Sequence, residues 1–305
     1  MLRAFSMFNP NGIHLEISGA QLTRPRTQDP QEQSMRRIAA IALSLTVALA
    51  ASADPPASRA AAPEALRTWV DARAGTGAPV HWIAEGGVYA YPSGEKLFGM
   101  VGFDSSTVIW PDEPGGEIVH LTRKTFAYTD PKTGAILTEH NGKKVEPIAY
   151  PYQVIRYRMQ DGLIFGDVEQ GVAPRIQHIK AKEGVRSRRL GDSWFYNAAV
   201  FLDFPLPTGG RYEAWENYDF FVHPEGSVTE PHQMTWQRYG DLPAWAGAGK
   251  AVYHLLSWRV ESAAEFPAAL LEWAKAEKPM WLVPPASLEE VKTLQEGRAG
   301  AGWGQ

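Results

Sequence analysis

The sequence predicts a mainly β protein, in which an antiparallel meander of strands follows a short helix and precedes further helices. Polar and apolar residues alternate with a period of two from Val80 to about Tyr239, as they do on the two faces of a strand. Short turn sequences separate these runs, and no helical spacing lies between them. Helical spacing is found only near the two ends of the chain.

The first predicted element is a short helix. Leu66, Trp69 and Val70 have helical spacing after Pro63, which suits a first helical turn, and Gly75 is a natural stop. Because the helix is short and carries one apolar face, we expect it to pack as a lid or a brace on the strands that follow.

Turn residues mark the predicted hairpins. Polar and apolar side chains alternate in Val119–Tyr128, and residues 130–134 (DPKTG) then supply proline where φ is fixed and glycine where φ is positive. Ala135–His140 is the expected return strand, Asn141–Gly142 the expected two-residue turn, and Lys143–Ile148 the next strand. Further strand-like runs cover residues 153–159, 193–204 and 215–222.

Open sheet edges invite aggregation, so a meander this long is expected to close or nearly close into a barrel of the lipocalin-like or calycin-like kind. An outer-membrane barrel is the structural rival, since it also alternates. Charges on both faces of Val154–Arg158 argue against it, and we expect no integral membrane protein.

The C-terminal part is predicted to be helical. Pro267–Lys278 has apolar residues on one face and lysines in its last turn. Ser287 to Glu290 form a capping-box pattern, which predicts a second short helix. Residues 63–296 therefore form the expected single domain, and residues 297–305 an expected disordered tail.

An export signal is predicted near the N-terminus. Arg36 and Arg37 precede an apolar run over residues 38–50, and residues 51–53 (ASA) fit the pattern that signal peptidases cleave. The run is too short to anchor a chain stably across a bilayer core of about 30 Å.

The predicted cleavage sets the boundaries of the mature protein. We expect Met35 to be the true start, residues 1–34 to be translated upstream sequence, and residues 35–53 to be a signal peptide cleaved before Asp54. The mature protein would then work in the periplasm, with residues 54–62, rich in Ala and Pro, as a flexible leader.

Composition excludes several classes of partner. Residues 1–53 hold five of the 30 basic and three of the 34 acidic side chains, so the mature chain keeps 25 against 31 and a formal charge of −6. An acidic chain is a poor ligand for nucleic acid or an anionic membrane. The chain has no cysteine, so no disulfide can stabilise it in an oxidising compartment.

Five blocks of sequence occur in a characteristic order: His81–Phe103, Tyr128–Leu137, Arg189–Pro207, Tyr212–Val222 and Thr235–Lys250. Together they resemble the family named domain of unknown function 1838, over nearly all of the mature chain. The resemblance implies a shared architecture and no known reaction. Asn141–Gly142 replaces a longer loop of the family, and Ala246–Gly247 follows Trp245 where members tend to have bulkier residues, so a pocket at Trp245 would differ in shape.

Common catalytic signatures are absent, including a nucleophile elbow, a phosphate loop, a zinc-protease motif and any thiolate. The densest polar and aromatic cluster is Glu213–Phe221. On a strand, Glu216, Tyr218 and Phe220 share one face. If this face points inward, Glu216 lies among aromatic rings and is the candidate catalytic acid or base; alternatively, it pairs with an arginine and fixes the core.

The candidate ligand-binding residues are Trp236, Arg238, Tyr218 and Trp245. Trp236 and Arg238 share a face of the next strand, where Arg238 could neutralise Glu216 or bind a carboxylate ligand through its planar fork. Packing in the core is the alternative role.

No metal and no cofactor are predicted. His223 and His232 flank a turn, and Glu225 or Glu230 could complete a metal site, but a separation of nine positions between two histidines is no defined ligand spacing.

Three functions remain open. The protein could bind a small apolar or amphipathic molecule in an aromatic-lined barrel, with Glu216 and Arg238 orienting it. It could be a cofactor-independent isomerase, hydratase or cyclase that uses the inward carboxylate as acid or base. It could be a structural envelope protein with a filled barrel. We favour binding of a small lipophilic ligand.

Overall fold

The computed structural model describes residues 57–171, 173, 176–205 and 211–297, all of them within one compact unit. The predicted upstream segment, the signal peptide and residues 298–305 of the predicted tail lie outside the described residues. Among the helices that are described, none is both long and apolar enough to cross a membrane.

The described residues form thirteen strands. They are β1 (Val80–Ala90), β2 (Lys96–Ile109), β3 (Ile118–Thr129), β4 (Glu139–His140), β5 (Lys143–Lys144), β6 (Ile148–Gln160), β7 (Leu163–Gln170), β8 (Gln177–Ile179), β9 (Arg186–Leu190), β10 (Ser193–Pro205), β11 (Arg211–Val222), β12 (His232–Asp241) and β13 (Lys250–Val260). The helices are α1 (Ala57–Ala61), α2 (Glu64–Ala74), α3 (Ala268–Glu277) and α4 (Leu288–Gln295), with 3₁₀ turns at Ala263–Glu265 and Pro279–Leu282.

Eleven strands form one antiparallel sheet in the order β8-β7-β6-β3-β2-β1-β13-β12-β11-β10-β9. The first and last strands are therefore neighbours, and β1 pairs with β13 along almost its whole length. This pairing joins two meanders, one that runs outward from β1 and one that returns from β9. The prediction ended the alternation near Tyr239 and missed β13, although Ala251, Tyr253 and Leu255 are buried at a period of two.

The two outer parts of the sheet approach each other at one point. Ile164 of β7 and Val185, which precedes β9, exchange two backbone hydrogen bonds of 3.3 and 2.7 Å. The sheet is thus a curled antiparallel half-barrel with a few helices, and the mainly β prediction is confirmed to that extent. Complete closure and likeness to lipocalins stay predictions.

The predicted strands Ala135–His140 and Lys143–Ile148 are wrong as members of the meander. Ile136 returns beside β3 in one isolated bridge to Thr129, and Glu139–His140 and Lys143–Lys144 pair as a two-stranded sheet of their own. The reason is that β6 occupies the edge of β3, so the intervening segment leaves the main sheet. The Asn141–Gly142 turn is present, with φ values of 51° and 74° that suit a two-residue hairpin.

Helix α2 is a brace between the two meanders. It lies between Pro63 and Gly75, as predicted, and buries Trp69 at 3% exposure. The Trp69 ring lies 6.5 Å from the Tyr157 ring of β6 and 4.7 Å from the Phe220 ring of β11. Both meanders therefore contact a single indole.

Part of the predicted flexible leader is helical. Arg59 of α1 donates a hydrogen bond of 2.9 Å from Nε to Asp71 of α2, and Ser58 is buried. The prediction of a flexible leader rested on the Ala and Pro content of residues 54–62. The ion pair of Arg59 and the packing of Ser58 explain why part of this segment is ordered instead.

The C-terminal helices cover the outer face of the N-terminal meander. Leu270 and Ala274 of α3 pack on Ile83 and Phe103. Helix α4 packs separately on β3 and β6. Ser287 accepts a hydrogen bond from the backbone N–H of Glu290 and thus caps α4, as predicted.

A β-bulge connects this outer layer to the sheet. Pro151 and Tyr152 of β6 lie opposite the single residue Arg123 of β3, which fits a proline because a bulge needs one fewer ladder hydrogen bond. Arg123 is 1% exposed and donates to the carbonyl oxygens of Pro151 (2.9 Å) and Val283 (2.8 Å), and also to the Glu290 carboxylate. Arg123 therefore holds the C-terminal segment against β3 and β6.

We expect Arg123→Met to lower the free energy of unfolding by about 3 kcal/mol, because it leaves buried carbonyl oxygens without a donor. Arg211→Met is the matched control, since Arg211 pairs with Asp203 at 2.6 Å on the surface and should change stability by about 0.5 kcal/mol or less. Urea denaturation measures both. Equal losses in the two variants would contradict the role given to Arg123.

Candidate functional site

The inner face of the curled sheet and helix α2 enclose a cavity of roughly 270 Å³. Its wall is mostly apolar and includes the rings of Trp69, Trp82 and Trp236. The wall also carries charged side chains: two cross-strand pairs on the sheet, Arg73 on α2, and a group between β8 and β9 that consists of Lys180, Lys182 and Glu183. Such a mixture of apolar wall and few polar groups is typical of small-molecule sites.

The first charged position lies on β11 and β12. Glu216 and Arg238 are direct cross-strand partners, and Arg238 Nε lies 3.9 Å from Glu216 Oε1. Tyr218 OH donates to Glu216 Oε2 at 2.6 Å, and Trp236 Nε1 donates to the same oxygen at 3.3 Å. The carboxylate thus has two neutral donors and one cation around it.

The environment keeps these partners in their donor forms. Burial and the neighbouring Glu216 charge raise the pKa of Tyr218 well above its ordinary value. Burial opposes the charge of Arg238, but Tyr212, Tyr253 and Glu216 outweigh it and raise its pKa. The Arg238 guanidinium also lies 4.7 Å from the centre of the Tyr253 ring.

The second charged position lies on β2 and β3. Asp104 and Lys124 are cross-strand partners whose Oδ2 and Nζ atoms lie 3.4 Å apart. The other carboxylate oxygen of Asp104 accepts hydrogen bonds from Ser106 and Thr122. Burial would raise the pKa of Asp104, but Lys124 and the other positive neighbours hold it below its ordinary value. Asp104 is therefore ionised.

A chain of hydrogen bonds leads from Asp104 into the core. His120 Nε2 lies 2.9 Å from Ser106 Oγ, and His120 Nδ1 lies 3.1 Å from the Tyr157 hydroxyl. Because the Ser106 proton is used on Asp104, Nε2 must donate to Ser106 and Nδ1 must accept from Tyr157. Burial, reinforced by Arg73, lowers the pKa of His120 to about 3, so the ring is neutral.

Helix α2 contributes a further cation, Arg73. It is 9% exposed, and its guanidinium carbon lies 4.9 Å from the centre of the Phe220 ring and 5.7 Å from that of Trp69. Its Nε has no hydrogen-bond acceptor. Within the described ranges, no carboxylate lies within 4 Å of it.

The structure brings four of the sequence-predicted site residues together and separates one. Glu216, Tyr218, Trp236 and Arg238 all line the cavity. Trp245 does not; it packs on the rings of Phe98, Tyr128 and His140. Ligand binding by the four cavity residues and acid–base catalysis by Glu216 stay predictions.

Sequence reasoning missed the Asp104 and Lys124 position. The signal that could have found it is the alternation in β3, where His120, Thr122 and Lys124 share one face of a strand. Three polar residues at a period of two mark either an exposed face or a polar interior. Only the sheet topology decides between these, because it places β3 beside β2 inside the curl.

The histidines considered for a metal are used otherwise. His223 Nδ1 lies 2.8 Å from Ser193 Oγ. Burial lowers the pKa of His232 to about 4. In the part of the chain that the structure describes, no group of three or more His, Cys, Asp or Glu side chains could hold a metal ion.

Most of the described chain is similar to one protein family. Residues 78–295, more than two thirds of the chain, match the family model described as Protein of unknown function (DUF1838). The chain belongs to the DUF1838 family. The resemblance seen in the five sequence blocks is thereby confirmed. Curated proteins and solved structures contain no match to this chain.

The DUF1838 match includes the part of the cavity wall that the sheet forms but not the part that helix α2 forms. It starts two residues before β1 and ends with the last residue of α4, so it includes Asp104, Lys124, Glu216 and Arg238. Helix α2, which carries Arg73, lies before the matched region. The cavity is therefore built from the DUF1838 sheet and from a helix outside it.

Acid is expected to destabilise the protein through His120. Burial lowers the pKa of His120 from an ordinary 6.5 to about 3. Between these pH values His120 is protonated in the unfolded chain but neutral in the folded protein. The free energy of unfolding should fall as the pH drops from 6.5 towards 3, by up to about 1.4 kcal/mol per pH unit.

The variant His120→Gln should show a shallower fall, measured by urea denaturation between about pH 4 and pH 7. His232→Gln is the variant for comparison. The pKa of His232 is also lowered from 6.5, to about 4, so its removal affects the stability over the same pH range. A slope in His120→Gln as steep as that of the unsubstituted protein would contradict the burial of a neutral His120.

Proposed function

We propose that this DUF1838 protein binds a small amphipathic molecule in the cavity of its curled sheet. The observation that carries the proposal is a cavity of roughly 270 Å³ with an aromatic wall and ionised groups at two positions. Apolar rings stabilise a ligand by burying its body, and a few polar groups fix its orientation. A structural protein with a filled interior fits a cavity of this size poorly.

The roles of the predicted site residues follow from their contacts. Trp236 and Tyr218 present rings to the cavity and donate to Glu216, so they hold the carboxylate still while contacting the ligand body. Arg238 Nε lacks a hydrogen-bond acceptor and is the donor that a polar ligand group would use at this position.

The proposal includes export to the periplasm, with cleavage before Asp54. Its support is the sequence alone: the two arginines, the apolar run and the small residues at 51–53. An exported protein with no cysteine has no disulfide to maintain its cavity. Packing around α2 and the C-terminal helices would supply that rigidity instead.

An acid–base enzyme on the same frame is the second candidate. It is favoured by ionisable groups whose environments differ: burial lowers the pKa of Lys124, while Asp104 beside it is held ionised. Glu216 would be the acid or base, as its position on the cavity wall allows. This candidate shares the binding step with the first.

The neutral fluorescent probe N-phenyl-1-naphthylamine should bind in the cavity and brighten as it leaves water. Trp236→Phe should weaken binding about 2- to 10-fold, because a smaller ring loses aromatic contact. The matched control Trp245→Phe should leave probe affinity unchanged, since Trp245 does not line the cavity.

Titration of the probe against the three proteins measures both effects. No brightening with the unsubstituted protein would overturn the binding proposal. Equal weakening in the two variants would show that the probe binds outside the cavity.

A further inference from the structure

The cavity wall has the opposite charge to the chain as a whole. The full chain carries a formal charge of −4. Inside the cavity, however, five cations (Arg73, Lys124, Lys180, Lys182 and Arg238) face three carboxylates (Asp104, Glu183 and Glu216). Charges of one sign in a low-dielectric cleft focus the field and attract an opposite charge. The excess of positive charge in the wall therefore favours an anionic ligand group.

Arg73 is a buried cation without an ion-pair partner in the described ranges: its neighbours are the neutral Tyr157 hydroxyl and, at longer range, the Asp104 charge. Glu216 faces Arg238 at 3.9 Å, and Asp104 faces Lys124 at 3.4 Å, whereas no carboxylate in the described ranges lies within 4 Å of Arg73. Arg73 is nine-tenths buried, and its Nε has no acceptor. Burying an unpaired charge is costly, so a ligand anion here would be strongly stabilised.

Asp104 compensates Arg73 only at longer range, because its ion pair is with Lys124. One of its oxygens already accepts from Ser106 and Thr122, and the other is directed to Lys124. The Lys124 ammonium has three N–H donors, of which the contact with Asp104 uses one, and its side chain is 17% exposed in the cavity wall. Burial lowers the pKa of Lys124, Asp104 opposes this, and the charge of Arg73 reinforces it, so the two cations lie close enough to interact.

We propose that the ligand is a small amphipathic carboxylate, whose carboxylate group binds Arg73 and Lys124 and whose apolar body lies among the rings of Trp69, Trp82 and Phe220. This inference rests on the proposed function and specifies its ligand class. The planar guanidinium matches a carboxylate in two parallel hydrogen bonds, and the ammonium adds a point charge. The Glu216 position, already neutralised by Arg238, would face the other end of the ligand.

A matched probe pair tests this proposal. Isothermal titration calorimetry with 4-phenylbutyrate and 4-phenylbutyramide compares a carboxylate with its neutral amide of nearly the same size. We expect the carboxylate to bind at least about tenfold more tightly, as a charge-assisted hydrogen bond would give. Equal affinities would overturn the proposal and leave the proposed function standing. Binding of neither probe would overturn both.

Variants of helix α2 assign the preference to Arg73. Arg73→Gln should lower carboxylate affinity about tenfold or more and bring the two affinities close together, and Arg73→Lys should restore most of the preference. Arg67→Gln is the matched control, because it removes the same charge from the same helix outside the cavity wall. A preference that survives in Arg73→Gln would overturn the assignment. If Arg73→Gln fails to fold, Arg73→Lys and Lys124→Gln replace it, and full affinity in Lys124→Gln would overturn the shared site.

Discussion

The pairing of the last strand with the first is the constraint on which the rest of the structure depends. Strand β13 joins β1 along almost its whole length and thereby connects two meanders into one sheet of eleven strands. Because side chains alternate across a strand, this single sheet has one continuous inner face. The cross-strand registers then place Asp104 opposite Lys124, and Glu216 opposite Arg238, on that face.

Charged side chains on the inner face of a sheet need a strand register that places an opposite charge beside them. An isolated buried carboxylate or ammonium is costly, and a cross-strand partner is the nearest available compensation. Asp104 and Glu216 have both a cation and hydroxyl donors. The cavity wall therefore contains paired charges among aromatic rings, with Arg73 as a buried cation that has no carboxylate of the described chain within 4 Å.

Local patterns predicted what depends on local physics. The alternation and the Asn141–Gly142 turn predicted strands and a hairpin, and Pro63 and Gly75 predicted the ends of α2. The prediction that Ala135–His140 is a strand of the meander was wrong because two segments compete for the same edge of β3. Strand β6 pairs with that edge, so residues 135–140 leave the main sheet. Sequence alone does not show which strand occupies an edge.

The candidate site was predictable only where neighbouring strands form it. Glu216 and Arg238 lie on consecutive strands, so an ordinary hairpin rule brings them together. Arg73 reaches the cavity from a helix that braces both meanders, and no local pattern indicates such a long-range contact. Trp245 shares the aromatic character of Trp236 but follows the end of β12, so its side chain packs on Phe98 and Tyr128 instead.

Native mass spectrometry of the mature protein, expressed from Met35 and purified from the periplasm, tests the central claim most directly. The account predicts a chain that begins at Asp54 and carries an extra mass, which denaturation removes and which belongs to a small organic acid. A protein that shows only its own mass, before and after incubation with a library of small amphipathic acids, would contradict the claim that the cavity is a ligand-binding site.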